Sequence, residues 1–170
     1  MMNCGIPATW FRCKRFGLRA TTTMVFALMV TPLQADQPIG STQRCGPTFV
    51  DIDPATGELL VLCGKRGTIQ RLDPDGGETK SEELLSESPF ALTRHPDGVR
   101  LYVTCRRGQE IRELDAESLQ TLRRFPLRGD PTGVAVSGDG QRLYVALHSL
   151  DQVSVFDLDT GQEIKRLTVG

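Results

Sequence analysis

The feature that most constrains this chain is an internal repeat of 42 residues, which runs without a gap from Pro47 to the last residue. Pro47, Pro89 and Pro131 fall in register, as do Leu59, Leu101 and Leu143, and Val61, Val103 and Val145. Ile69, Ile111 and Val153 follow, then Leu72, Leu114 and Phe156, then Asp73, Asp115 and Asp157. Tyr102 and Tyr144 also match, with Leu60 at that place in the first copy. So many coincidences at one offset are hard to reach by chance. A fixed period of this length means that one supersecondary unit is built three times and stacked.

Each unit reads as four short strands. In the third copy the expected strands are 133–137, 142–147, 152–157 and 162–169. The links between them carry turn chemistry, with glycine supplying positive φ at low steric cost. Ser137-Gly138-Asp139-Gly140 joins the first two strands, and Asp157-Leu158-Asp159-Thr160-Gly161 joins the last two. The recurring Asp73, Asp115 and Asp157 stand at strand ends, where an acid caps a turn through its own side chain. The seventeen glycines and ten prolines of the chain suit many strands and turns, not a helical bundle. The second strand, Leu143-Tyr144-Val145-Ala146-Leu147, is apolar on both faces, which requires both faces to be covered. The fourth, Gln162-Glu163-Ile164-Lys165-Arg166-Leu167, alternates and is more polar. Radially stacked sheets produce this gradient, with inner strands sandwiched and outer edges in water.

The stretch PTGVAVSGDGQRLYVALHSLDQVSVFDLDTGQEIKRLTVG resembles the YVTN-type β-propeller repeat, a relative of the WD repeat. HPDGVRLYVTC carries the same core, and DPATGELLVLCGKRGTIQRLDPDGG is a degenerate copy. The resemblance implies an all-β fold of three four-stranded antiparallel blades, at about 46–87, 88–129 and 130–170. It also implies a binding platform, a surface protein, a lactonase or a haem-enzyme domain, since related propellers serve all of these. Three blades make an open arc, because propellers typically close with four to eight. The expectation is therefore either the opening arc of a larger propeller or two arcs that join into a six-bladed homodimer.

The first 35 residues hold four basic residues, Arg12, Lys14, Arg15 and Arg19, and no acid. An apolar run at 24–30 follows, then Thr31, Pro32 and the small Ala35. This order predicts a secretory signal over 1–35, a lead-in over 36–45, and a periplasmic or extracellular body. The run is too short to span a bilayer, so no transmembrane segment is expected. Of 20 basic and 21 acidic residues, removing those four basic ones leaves a net charge of −5. An acidic body argues against nucleic acid as a partner.

Three cysteines follow the signal: Cys45, Cys63 and Cys105. No C-x-x-C-H haem motif and no zinc-finger spacing is present, so no cofactor is expected. Cys63 and Cys105 are repeat equivalents and read as small apolar fillers. Cys45, just before the first strand, and Cys63, at the end of the second, fall on one rim and can form a disulfide if their Cα atoms come within about 7 Å. The loops after each second strand share that rim. They carry Lys65, Arg66, Arg106, Arg107 and His148, a basic patch fit for an anionic ligand or an acidic partner surface. His148 is the one metal candidate, and it stands without a second ligand, because His95 belongs to the opposite rim. No catalytic constellation stands out. The reading is an exported, non-catalytic binding module. The alternatives are the N-terminal part of a periplasmic propeller enzyme, either cytochrome-linked or lactonase-like, and a cell-surface structural protein.

Overall fold

The computed structural model describes residues 44–170, so the signal segment 1–35 and the lead-in up to residue 43 lie outside the described residues. Twelve strands follow one another in three separate sheets, each an antiparallel meander in chain order. The first blade comprises β1 (Pro47–Ile52), β2 (Leu59–Cys63), β3 (Thr68–Leu72) and β4 (Thr79–Leu84). The second comprises β5 (Pro89–Arg94), β6 (Arg100–Cys105), β7 (Glu110–Asp115) and β8 (Thr121–Pro126). The third comprises β9 (Pro131–Val136), β10 (Arg142–Leu147), β11 (Gln152–Asp157) and β12 (Glu163–Thr168). A 3-10 turn, His148–Leu150, links β10 to β11. β9 starts two residues before the expected point because Pro131 pairs with Leu147 across a bulge. A proline is tolerated there because it opens the strand and sits at the sheet edge.

The first strands lie innermost, with β5 packed beside both β1 and β9. The sequence period reappears in the backbone hydrogen bonds. Gly64, Arg106 and His148 donate their N–H groups to the carbonyls of Gly46, Ser88 and Asp130. Leu85, Leu127 and Val169 donate to Gly67, Gln109 and Asp151. These six bonds tie the turn after each second strand to the segments that enter and leave the blade, and they define one rim. On the opposite rim, Asp73, Asp115 and Asp157 accept N–H groups of their own turns. Those turn bonds hold all three carboxyls below the ordinary Asp range.

Because side chains alternate across a strand, each blade has two faces. The front face of the first blade, with Leu60, Leu62 and Ile69, packs against the back face of the second, with Leu101, Val103 and Cys105. The front face of the second, with Tyr102, Ile111 and Phe125, packs against Leu143, Val145 and Phe156 of the third. Aromatic rings continue that second seam: Tyr102 meets Phe125 edge-on at 6.3 Å, and Phe125 meets Phe156 at 5.8 Å. The middle blade is thus covered on both faces, whereas every residue of β12 is exposed.

Polar bonds fix the angle at each seam. A guanidinium nitrogen of Arg71 donates to the Ala116 carbonyl of the next blade. Arg123 donates to the Leu158 carbonyl, the repeat equivalent of Ala116, at 2.8 Å. Arg71 also holds Asp53 at 3.1 Å and Glu58 at 2.9 Å. Hydrogen bonds of this kind are what make a buried charge tolerable. Between the second and third blades, buried His95 donates through Nε2 to the Gly140 carbonyl at 2.9 Å, while its Nδ1 accepts the Asp97 N–H.

Gly140 has φ of +74°, and a Cβ there would lie 2.6 Å from the His95 ring. A Gly140→Ala substitution meets both the left-handed backbone penalty and this clash. It should cost at least about 1–2 kcal/mol in urea unfolding. Gly138→Ala, with no atom nearby in the same turn, should stay within about 0.5 kcal/mol of the parent.

Asp97 gives a pH signature. Burial alone would raise its carboxyl. The Val99 amide and the Arg100 guanidinium outweigh that and hold it at about 2. A carboxyl depressed on folding stabilises the fold above its unfolded value of 3.8. That contribution is lost as pH falls from about 4 towards about 2. Thermal melts across this window should show a steeper acid loss for the parent than for Asp97→Asn.

Candidate functional site

The rim that carries the turns after β2, β6 and β10 also carries the links between blades, because both lie at the same end of an antiparallel meander. Between the first and second blades these segments enclose a cavity of about 990 Å³. One wall is the β2–β3 turn with Lys65 and Arg66. The other walls are Arg107 from the β6–β7 turn and the link residues Ser86, Glu87 and Ser88. Gly108 stands close to the link: a Cβ there would press on the Ser86 side chain.

Of the five rim residues singled out from the sequence, the cavity gathers three. Lys65, Arg66 and Arg107 line it, and Arg66 also pairs with Glu82 at 3.1 Å. Arg106 turns away, with its guanidinium 3.3 Å from Asp130 and 5.1 Å from the centre of the Phe90 ring. That pairing neutralises it towards the second seam. His148 opens the 3-10 turn of the third blade, exposed and outside the cavity lining. His95 sits in the β5–β6 turn at the opposite rim, engaged with Gly140. Among the described residues, no group of three or more His, Cys, Asp or Glu side chains is gathered as a metal site.

Arg112 was not among the residues singled out from sequence. It reaches the cavity from β7, held by Glu110 at 2.8 Å and donating to the Leu85 carbonyl. The link 85–88 was also missed as a wall. The available signal was topological: the link and the turns carry residues to the same end of each sheet.

Cys45 and Cys63 are joined as a disulfide with Cα atoms 4.7 Å apart. The bridge lies next to Gly46 and Gly64, which line the cavity, and so pins its first-blade wall. Cys63 is therefore a cross-link and not the apolar filler expected from its match to Cys105. Cys105 is buried and free, and burial pushes its thiol up to about 11. Cysteine-specific alkylation of unreduced, folded protein should leave all three of these cysteines unmodified, and denaturation should expose Cys105 alone. A Cys45→Ser substitution opens a loop with a sequence separation of 18. It should lower unfolding stability by about 3 kcal/mol, the usual scale for such a loop.

No family model and no curated protein matches the chain. Solved structures do. Hydrazine synthase of Kuenenia stuttgartiensis superposes with a TM-score of 0.68 at 19% identity, over 84% of this chain and 39% of that one. A candidate 6-phosphogluconolactonase from Bacteroides fragilis superposes with a TM-score of 0.64 at 18% identity, over 74% and 40%. A protein of unknown function from Desulfotomaculum acetoxidans superposes with a TM-score of 0.61 at 24% identity, over 73% and 43%. This chain spans about two fifths of the length of each. At these identities the likeness establishes the fold: three blades of an incomplete β-propeller. Among the described residues, no helix is long and apolar enough to cross a membrane.

Proposed function

We propose that this chain is an exported, non-catalytic binding module of the YVTN-type propeller class, which takes an acidic protein segment on its rim. The observation that carries this reading is the rim cavity, where Lys65 and Arg107 converge beside the Glu82-paired Arg66 on a chain whose body is net acidic. Positive groups concentrated in a concave site on an acidic protein focus the field there and attract acidic partners. Presentation from turns on a rigid scaffold is a common arrangement for recognition. Two independent features support export. The N-terminal order of basic, apolar and small residues fits a secretory signal. The Cys45–Cys63 bridge fits an oxidising compartment.

The test is fluorescence anisotropy with a labelled poly-aspartate peptide on the full chain. Lys65→Glu with Arg107→Glu should weaken binding at low salt about tenfold or more, and the difference should shrink as salt rises. Reversal of Arg128, exposed on the link between the second and third blades and outside the cavity lining, should leave the affinity unchanged. Equal affinities for parent and double variant would overturn the assignment.

A further inference from the structure

The two uncovered faces of the arc are the two halves of an interface that the chain already builds twice. At the second seam, Tyr102, Ile111, Phe125 and Leu127 form the front half. The repeat equivalents on the third blade are Tyr144, Val153, Leu167 and Val169, apolar or aromatic at every place, with an aliphatic Leu167 where Phe125 stands. The back half at the same seam includes Leu143, Val145 and Phe156, with Val134 and Val136 packed against them. On the first blade the equivalents are Leu59, Val61, Leu72, Val50 and Ile52. Pairing registers place Val50 beside Val61, and Ile52 beside Leu59 and Leu72, on one face.

Among the described residues, exposure shows these sets without a cover. Leu85 and Leu127 leave the first two blades at 6% and 8% exposure, each buried under the following blade, whereas the equivalent Val169 is 52% exposed. Val50 and Ile52 are 59% and 61% exposed. The polar tie is also duplicated. Lys165 occupies the place of Arg123, and the Pro74 carbonyl occupies the place of the Leu158 carbonyl that Arg123 engages. A cation on the third blade and its acceptor on the first are thus present in one chain.

From this we infer that the front face of the third blade docks on the back face of the first blade of a second copy. The contact is head to tail: two unlike patches meet. Two such contacts, related by a two-fold axis, close two arcs into a six-bladed ring and cover both open faces. The seam is apolar at the same positions as the second interior seam, with Leu167 and Leu72 where Phe125 and Phe156 meet, so it buries apolar surface in the same pattern.

Two blocking variants test this, read by sedimentation equilibrium of the full chain at about 10 µM, well above a micromolar dissociation constant. The front-blocked variant carries Leu167→Glu and Val169→Glu. The back-blocked variant carries Val50→Glu and Ile52→Glu. All four side chains are at least a third exposed in the single arc, so the blades should keep their fold, as far-UV circular dichroism will check. The parent should sediment at twice the chain mass and each variant alone at the chain mass. An equimolar mixture should recover a dimer, since the intact back of one variant meets the intact front of the other. A folded, monomeric parent would overturn the inference and leave the faces to a further blade. So would a blocked variant that stays dimeric, or a mixture that stays monomeric. Poly-aspartate binding at the rim cavity is a separate readout, so either proposal can fail alone.

Discussion

The structure depends on one constraint: an apolar sheet face must be covered, and here the cover is always the next blade. The second strand of each unit is apolar on both sides, so a lone blade would leave both rows of apolar side chains in water. Burying a Leu, Val or Phe side chain is worth roughly 1.5–3 kcal/mol, and each seam buries several. Side-chain alternation then makes every blade directional, with a front that fits the following back. The uncovered ends of the arc follow from the same rule that holds its middle together.

Polar groups set geometry where apolar packing alone would not. An apolar face slides easily over another, whereas the bonds of Arg71 and Arg123 to equivalent carbonyls fix where each seam stops. Thr48 adds a bond to the Pro89 carbonyl at 2.8 Å, and Thr104 one to Thr132 at 3.2 Å. These bonds lie near the inner strands, so they set how the blades fan out. That fan opens the rim, and the opening between the first two blades becomes the cavity. The disulfide works on the same wall, tying the entry of the first blade to the end of its second strand.

The repeat made most of the architecture legible. Proline, leucine and valine in register at one offset mark equivalent strands, and glycine-rich links between them mark hairpins. Both signals are local and survive without a partner chain. The cavity was legible only in part. Lys65, Arg66 and Arg107 stand out because three similar turns must line up on one rim. Whether Arg106 joins them depends on Asp130 and Phe90, which come from the neighbouring link and strand, and Arg112 arrives through a strand interior that reads as core.

The sequence by itself determined the period, the strand count per unit and the alternation of faces, because these depend on spacing along the chain. Only the tertiary structure decided which charges face the cavity, that Cys63 is tied to Cys45, and that His95 is a seam contact. Each of those outcomes rests on distances between segments some 18 to 45 residues apart. Side chains there compete for partners across blades, and spacing along the chain does not say which partner wins.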